Sequence, residues 1–281
     1  MEIPASFIKT MPSLATTPPY VDRTSLLAAC NALLTPERFT DYGPNGLQVE
    51  GKAQIRKIVS GVTASRALIE AAIAAKADAI FVHHGLFWRG QSGVVTGWMK
   101  QRLALLLAHD INLLAYHLPL DAHPDLGNNA QLGVKLGFLP GKTAAGPDIK
   151  HFGEQSLGWL INIEQNAIKT IQNPENLQKH LENTLKRHVS GVFVDSLAIK
   201  NIAWCTGGAQ SYFEAAIAAG ADAFITGEIS EPQAHLAREC GVAYFACGHH
   251  ATERYGAPAV AAHLAAQFGI AHEFIDIDNP A

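Results

Sequence analysis

The hydrophobic positions of this chain follow two periodicities that alternate along the sequence. Apolar residues recur at helical spacing at Leu68, Ile69, Ala72 and Ile73, and a continuous apolar run follows over 80–82. Continuous apolar strands are typical of sheets whose two faces are both covered by helices. The pattern therefore predicts a layered α/β fold.

The same pattern occurs twice. Residues 70–80 read EAAIAAKADAI and residues 214–224 read EAAIAAGADAF, which agree at nine of eleven positions. Each copy follows a glycine turn and ends in an apolar strand. The similarity continues into a further strand and helix in each copy, predicted over 111–116 and 129–136, and over 242–247 and 257–268. We predict duplicated three-layer α/β halves with mixed sheets.

A stretch between the copies breaks the repeat. Over 139–200, Asn173 and Pro174 are typical of a helix start, and we predict a helix to about His188 between strands within 157–163 and 189–199. We interpret 139–200 as a small α+β insertion into a body formed by 23–138 plus 201–281.

The segment 1–22 contains several prolines and no apolar run long enough for a signal sequence, so we expect a flexible N-terminal arm.

Composition narrows the class of protein. Hydrophobic residues make up 48% of the 281 residues and charged residues 16%, which is globular. Charged residues interrupt the apolar stretch 67–82, so we expect no membrane association. The net charge of −4 argues against nucleic acid as a partner. Four cysteines without CxxC pairing favour the cytoplasm, and we interpret Cys205, Cys240 and Cys247 as core residues.

Polar residues cluster where the predicted strands end. In open α/β sheets, ligands bind beyond the carboxyl ends of the strands. The residues at these ends are His83-His84-Gly85, His117 to Asp121, Gly227-Glu228, and Gly248 to Glu253. Imidazole and carboxylate suit zinc, manganese, iron, nickel or cobalt, whereas calcium prefers oxygen alone. The residues at these strand ends therefore predict a divalent-metal site.

The spacing of these residues has two consequences. His249 and Glu253 are four residues apart and point the same way if a helix begins there. His83 and His84 are adjacent, so on a regular strand they face opposite sides, and they can share a site only where the strand ends at Gly85. Five good ligands exceed the three or four that one zinc usually takes, which favours two metals bridged by a carboxylate.

Other polar residues have weaker or alternative roles. His117 is a candidate to orient Asp121 or a water, and Glu228, which matches His84 in the repeat, either moves protons or caps a turn. We interpret His250 as a supporting residue. The turn Thr206-Gly207-Gly208 either packs tightly or cradles an anion, and the motif DYGPNGLQVEG over 41–51 is interpreted as a hairpin turn. Isolated histidines are set aside as structural: His109, His151, His180, His188, His263 and His272.

These motifs carry a family resemblance. NGLQVEG, FVHHGLFW, AYHLPLDAHPDLGNN, CTGGAQ, TGEISE and GHHATERYG together resemble the Nif-three-like family of dinuclear-metal proteins, often labelled GTP cyclohydrolase type two homologues. The resemblance covers residues 23–277 and implies a duplicated α/β fold and a toroidal homohexamer whose metal pairs face an inner cavity. It places the metal ligands on His83, His84, Asp121, His249 and Glu253, with Glu253 as the bridge. One departure is Thr63, where relatives often have an acidic residue.

Two functions stay open on these residues. The first is a metal-dependent hydrolase with two divalent ions per chain, in which activated water attacks a phosphate ester or a cyclic amidine of a small molecule such as a nucleotide, and His117 or Glu228 moves protons. The second is a non-enzymatic metal-carrying or regulatory ring.

Overall fold

The computed structural model describes residues 19–140, 148–163, 171–195 and 197–281. The elements of the first half are β1 (Val21–Asp22), α1 (Arg23–Leu34), β2 (Gly46–Val49), β3 (Gln54–Ile55), β4 (Lys57–Thr63), α2 (Arg66–Ala74), β5 (Ala79–His84), α3 (Gly97–Ala108), β6 (Asn112–Ala115), α4 (Leu118–Ala122) and α5 (Asn128–Lys135).

The elements that follow are β7 (Lys150–Phe152), β8 (Gly158–Asn162), α6 (Pro174–Leu185), β9 (Ser190–Val192), β10 (Asn201–Trp204), α7 (Phe213–Ala218), β11 (Ala223–Thr226), α8 (Glu231–Cys240), β12 (Ala243–Ala246), α9 (His249–Glu253), α10 (Gly256–Phe268) and β13 (Ala271–Phe274). No helix in the described ranges is both long and apolar enough to cross a bilayer.

Two mixed sheets form the centre of the molecule. The first has the strand order β13-β4-β5-β6-β2, in which β2 is antiparallel to β6 and the other neighbours are parallel. The second has the order β7-β8-β10-β11-β12-β9, in which β10, β11 and β12 are parallel. The run β4-β5-β6-β2 corresponds to β10-β11-β12-β9, since each ends in an antiparallel strand. The predicted α/β class with duplicated halves and mixed sheets is confirmed.

Helices cover both faces of each sheet. On the first sheet, α1 and α10 pack on one face through Leu26 and Val260, and α2 and α3 pack on the other through Leu68 and Leu106. On the second sheet, α5 and α6 share one core cluster, and α7 and α8 share the other. Burial on both faces explains why the strands read as continuous apolar runs.

The two halves exchange their last helices. Helix α10, from the second half, packs Val260 and Leu264 on the first sheet, whereas α5, from the first half, packs Ala130 and Leu132 on the second. Strand β13 also joins the first sheet, beside β4. This exchange joins the two sheets, and α4 packs on both, through Leu120 on the first and Leu118 on the second.

A repeated aspartate marks the duplication at atomic detail. Asp78 Oδ2 accepts hydrogen bonds from the backbone N–H groups of Arg56, at 2.8 Å, and Lys57, at 3.2 Å. Its counterpart Asp222 accepts from Lys200 and Asn201, at 2.9 and 2.8 Å. Each carboxylate therefore satisfies the amides where the first parallel strand of its sheet begins.

The stretch 139–200 contributes strands to the second sheet. Strands β7 and β8 extend it beside β10, and β9 pairs with β12 at the opposite edge. Helix α6 begins as expected, because the Asn173 side chain accepts from Asn176 N at 2.9 Å. It ends at Leu185 rather than at His188, since Lys186 adopts a left-handed conformation. The division into arm, body and insertion stays a prediction, although β1, at the end of the expected arm, pairs with β3.

One cysteine was interpreted wrongly. Cys205 and Cys247 are buried as expected, but Cys240 is exposed because it is the last residue of α8. Its apolar sequence neighbours Val242 and Ala243 are buried at the start of the next strand, whereas Cys240 is not.

Candidate metal centre

Two histidines at the end of β5 begin the site. The strand runs two residues beyond its predicted end and includes both His83 and His84. The fully buried His83 donates from Nδ1 to the Tyr116 carbonyl at 3.1 Å, and His84 Nδ1 lies 3.1 Å from Thr63 Oγ1. The two ring centroids are 4.5 Å apart. Both rings therefore reach one site from the strand end, as the glycine at position 85 suggested.

Helix α9 supplies the carboxylate that these rings face. The helix begins at His249 and ends at Glu253, and His249 Nε2 lies 3.1 Å from Glu253 Oε2. His84 Nε2 lies 3.2 Å from the same oxygen, and His83 Nε2 lies 3.3 Å from Oε1. The Glu253 side chain is only 3% exposed. One buried carboxylate thus faces three imidazoles with both of its oxygens.

Helix α4 supplies the second carboxylate. Asp121 Oδ1 lies 3.5 Å from His83 Nε2. The same oxygen accepts from Asn128 Nδ2 at 2.9 Å and from Thr206 Oγ1 at 3.3 Å. These two donors fix the carboxylate beside His83.

His117 lies at the edge of the same cluster. It can offer a ring nitrogen within 4.8 Å of the donor atoms of His83 and His84. Its Nδ1 atom is bound to Asp41 Oδ1 at 2.6 Å, so Nε2 is the nitrogen that it can offer. The structure therefore brings His117 to the site, in contact with the centre rather than beside Asp121 alone.

Glu228 approaches the site from behind His249. Its Oε1 atom lies 2.6 Å from His249 Nδ1, so Glu228 accepts a hydrogen bond from the imidazole. A carboxylate in this position fixes the tautomer and orientation of a metal-binding histidine. The side chain is 45% exposed and lies outside the three groups of donor atoms close enough to hold one ion. This contact places Glu228 behind His249, and its predicted roles in proton transfer or turn capping stay predictions.

Sequence reasoning missed two of the supporting residues. Asp41 was interpreted as part of a hairpin turn, and Thr63 only as a departure from the acidic residue that relatives often have. Both side chains instead bind the Nδ1 atom of a site histidine. The carboxylate of Asp41, four residues before the turn at Asn45-Gly46, was the one available signal.

Charge in the cluster favours a cation. Burial lowers the pKa of His83, but Asp121 and Glu253 outweigh it and raise this pKa to about 9. Burial likewise lowers the pKa of His249, and Glu253 with Glu228 raises it to about 9. Burial lowers the pKa of His84 to about 3. The same carboxylates that attract protons to two of these imidazoles would attract a metal ion.

The two carboxylates differ from each other. Burial raises the pKa of Glu253, but the surrounding imidazoles, His83 and His84 foremost, hold it well below its usual value. Burial raises the pKa of Asp121 more than His83 lowers it. Glu253 is therefore the stronger negative charge in the cluster.

A divalent metal fits this donor set. Within the described residues, His83 Nε2 and Glu253 Oε2 are among the few buried side-chain atoms that have no hydrogen-bond partner. Buried polar atoms usually have one, and both of these atoms point into the cluster. Imidazole nitrogens with carboxylate oxygens are the ligands of zinc, manganese, iron, nickel and cobalt. The cluster can therefore hold a metal.

A glycine makes room for the carboxylate. Gly207 has a φ of +72°, and a Cβ atom there would collide with Glu253 Oε1 and lie 2.8 Å from Glu253 Cδ. Its N–H donates to Thr252 Oγ1 at 2.9 Å. The glycine turn after β10 is thus a close approach of backbone to the site, as its packing interpretation predicted.

The cluster opens into a cavity of about 370 Å³. His84, His117, Asp121, His249 and Glu253 all line it. Aromatic rings form part of its wall, with Trp88 in edge-on contact with His117 at 5.0 Å between centroids. The remaining wall includes Tyr42, Tyr212, Thr206, Ser211 and Glu154. The volume suits a small molecule.

The other histidines lie elsewhere. His250 Nε2 lies 2.9 Å from Asp276 Oδ1, which supports its interpretation as a supporting residue. His180 binds the Leu136 carbonyl, His188 binds Glu182, and His272 binds Ser60. None of the histidines set aside as structural belongs to a metal-competent group among the described residues.

Comparison with known proteins identifies the family. The sequence model of Duf34/NIF3 (NGG1p interacting factor 3) matches residues 21–280. The chain belongs to the Duf34/NIF3 family. The resemblance drawn from the sequence motifs is therefore confirmed.

Relatives of this Duf34/NIF3 protein align along almost their whole length. A Neisseria meningitidis serogroup A protein named GTP cyclohydrolase 1 type 2 homolog is 48% identical over 259 residues, which is 92% of this chain and 99% of that protein. A Pseudomonas aeruginosa protein of the same name is 48% identical over 258 residues, covering 92% and 98%. A solved structure described as protein ybgI, of unknown function, has a TM-score of 0.82 and 43% identity over 93% of this chain and 100% of that chain.

Proposed function

We propose that this Duf34/NIF3 protein is a metal-dependent hydrolase that holds two divalent ions per chain and acts on a small molecule. The observation that carries the proposal is the position of Glu253 between two sets of donor atoms. His83 stands near Oε1, with Asp121 beside it, while His84 and His249 stand near Oε2. Each set, with Glu253, forms a group whose donor atoms lie within 4.8 Å of one another.

The number of ligands in each group supports catalysis over a purely structural role. Structural zinc sites are closed by four protein ligands, whereas catalytic sites have three and leave a position for water or substrate. Each group here has three: His83, Asp121 and Glu253 in one, and His84, His249 and Glu253 in the other. A divalent ion in such a site supplies an activated water and stabilises charge that develops on an oxygen of the substrate.

The residues of the chain divide the remaining work. Glu228 and Thr63 bind the Nδ1 atoms of His249 and His84, so these rings keep their Nε2 atoms toward Glu253. Asn128 and Thr206 hold Asp121. The side chain of His117 is 19% exposed and lines the cavity, so it can reach a bound molecule. The Nε2 atom of His117 can therefore serve either proton transfer to a bound molecule or the binding of an ion, but not both at once, whereas Glu228 acts through His249.

The substrate class follows from the cavity and from the names of relatives. A volume of about 370 Å³ admits a small molecule but excludes a folded macromolecule. The Neisseria and Pseudomonas relatives are named GTP cyclohydrolase 1 type 2 homologs. A cyclic amidine within a nucleotide and a simple phosphate ester are the two substrate types that we propose to test.

The test is metal content combined with turnover. We expect about two divalent ions per chain by elemental analysis, and hydrolysis of at least one substrate in a panel of nucleotides and phosphoesters. Glu253→Ala and His84→Ala should lose metal and turnover together. His180→Ala is the matched control, because His180 binds a backbone carbonyl far from the site.

Two outcomes would contradict the hydrolase. Turnover that survives Glu253→Ala would mean that this centre does not catalyse it. Two bound ions that exchange rapidly, with no turnover across the panel, would favour the metal-carrying ring instead.

The assembly remains a proposal alongside this function. We propose a homohexamer in the cytoplasm, without membrane or nucleic-acid partners. Several large apolar side chains are exposed around the start and end of α3, including Val94, Trp98 and Leu107. Sedimentation of the intact protein at several concentrations measures the oligomeric state, and a monomer throughout would contradict the ring.

A further inference from the structure

The motif DYGPNG over 41–46 contacts the candidate metal centre, although it does not lie at the end of any of the strands that carry the other site residues. Asp41 lies in the loop between a short 3-10 turn (Pro36–Arg38) and β2. Its side chain is only 4% exposed and accepts from His117 Nδ1 at 2.6 Å. A loop interpreted from the sequence as a simple turn thus holds a buried carboxylate against a histidine of the site.

The hydrogen bonds around Asp41 determine which ring nitrogen of His117 carries the proton. Asp41 Oδ2 accepts from Leu118 N and from Asn45 Nδ2, both at 2.9 Å, and Oδ1 also accepts from Tyr42 N at 2.6 Å. A carboxylate with only donors around it is ionised and acts as an acceptor. His117 must therefore donate from Nδ1, which makes Nε2 the ring nitrogen that can bind a metal.

The backbone of His117 is fixed by the same loop. The N–H group of His117 donates to Asn45 Oδ1 at 2.7 Å, while the Asn45 amide nitrogen donates to Asp41. The ring stands 4.9 Å from the His83 ring and 5.7 Å from the His84 ring, measured between centroids. Trp88 packs edge-on against its other side. Neither the backbone nor the ring of His117 has freedom to turn away.

We propose that Asp41 is a positioning residue that fixes His117, and that His117 supplies a fourth imidazole nitrogen to the metal centre beside His83 and His84. The inference rests on the metal centre of the proposed function but not on the hydrolysis of any substrate. Carboxylates that orient a metal-binding histidine in this way commonly change metal affinity about 10- to 100-fold when they are removed.

The substitution Asp41→Asn tests the tautomer directly. An amide has only one oxygen. Asp41 Oδ2 faces two donors, Leu118 N and Asn45 Nδ2, whereas Oδ1 faces Tyr42 N and the His117 ring, whose proton can move to its other nitrogen. We therefore expect the amide oxygen at the Oδ2 position. The amide nitrogen then faces His117 Nδ1 and donates to it, which places the ring proton on Nε2. An Nε2–H group cannot bind a metal, so a nearly isosteric change should remove this donor.

Cobalt(II) binding to the full chain gives the readout. We expect Asp41→Asn and His117→Gln each to weaken cobalt binding by about 10- to 100-fold, and to change the visible absorption of the bound ion in the same way. The double variant should be no weaker than either single one, because both changes remove the same donor. His117→Gln leaves the Asp41 contacts to Leu118 and Asn45 available, so it tests the proposal even if Asp41→Asn disturbs the loop.

Control variants separate a local effect from a general one. Asp125→Asn changes an exposed aspartate, and His180→Gln changes a histidine bound to the Leu136 carbonyl. Both should bind cobalt like the unchanged chain. Unchanged affinity and spectrum in Asp41→Asn and His117→Gln would overturn this inference while leaving the metal centre intact. Failure of the unchanged chain to bind cobalt would overturn the metal centre and this inference together.

Discussion

Gly207 offers the sharpest test of how the backbone shapes the metal centre. Its φ of +72° lies in the left-handed region, so alanine there costs about 1–2 kcal/mol in backbone strain alone. The new Cβ would also lie 2.8 Å from Glu253 Cδ, whereas ordinary contact begins at 3.4 Å. The carboxylate must therefore retreat by at least the difference, 0.6 Å. Metal–ligand distances tolerate only about 0.2 Å.

We therefore expect Gly207→Ala to weaken metal binding. The loss in affinity should be at least as large as the loss seen when a residue that hydrogen-bonds to a metal ligand is removed. That loss is about 10- to 100-fold, or about 1.4–2.8 kcal/mol. Glu253 is shared by both groups of donor atoms, so both should be affected. Competition of zinc between the protein and a chromophoric chelator measures the affinity of each variant.

Gly241→Ala is the matched control. Gly241 follows the last residue of α8 with a φ of +64°, and nothing lies within 4 Å of the position its Cβ would take. This variant should lose about 1–2 kcal/mol of unfolding free energy from strain and bind zinc normally. If Gly207→Ala binds zinc as tightly as Gly241→Ala, then Glu253 does not carry the site in the way that its contacts indicate.

Three further predictions concern metal, backbone and thiols. Metal at 100 times its dissociation constant should raise the unfolding free energy by about 2.7 kcal/mol, seen as a higher calorimetric midpoint that chelator abolishes, and Glu253→Gln should show no such rise. Asp222→Ala should lower the unfolding free energy by about 1–3 kcal/mol in urea titration, because the amides of Lys200 and Asn201 lose an acceptor. Glu239→Ala, at an exposed position, should leave it unchanged, and equal unfolding free energies for the two variants would contradict the role of Asp222. Cys240 should react fastest with a thiol reagent because it is exposed, whereas burial raises the pKa of Cys30 to about 12 and also raises the pKa values of Cys205 and Cys247. A fast phase of the thiol reaction that survives Cys240→Ser would refute this.

The predictable part of the fold is the part encoded locally. Period and apolar runs predicted β5, β6, β11 and β12, and the repeat over 70–80 and 214–224 predicted the duplication. The exchange of α5 and α10 between sheets could not be predicted in this way. Both helices show apolar positions on the side that packs, but periodicity does not say which sheet receives them. That choice depends on contacts between residues remote in sequence.

In the candidate site too, the features encoded locally were predictable and the contacts between residues remote in sequence were not. The strand ends predicted a cluster of polar residues, and the family resemblance placed the metal ligands on five of them. The structure brings these five together: His83, His84, Asp121, His249 and Glu253. Asp41 and Thr63 act on the outer nitrogen of a histidine, and nothing in a turn sequence or a strand end reveals that contact. Residues that can hold a metal have a characteristic chemistry, whereas residues that orient them need only one hydrogen-bonding atom.

The duplication explains why the two halves contribute unequally. Helices α4 and α9 follow equivalent strands, and their fourth residues are Asp121 and Thr252. Asp121 faces His83, whereas Thr252 accepts from Gly207 N at 2.9 Å and donates to the Gly248 carbonyl at 2.9 Å. Asp121 is thus a candidate ligand, whereas Thr252, at the equivalent position, holds the turn that makes room for Glu253. A second acidic residue in place of Thr252 would add a buried like charge beside Glu253 and remove the support of that turn. The repeat therefore determines which positions face the site. The space and hydrogen bonds that Glu253 requires then determine which of two equivalent positions can carry a metal ligand.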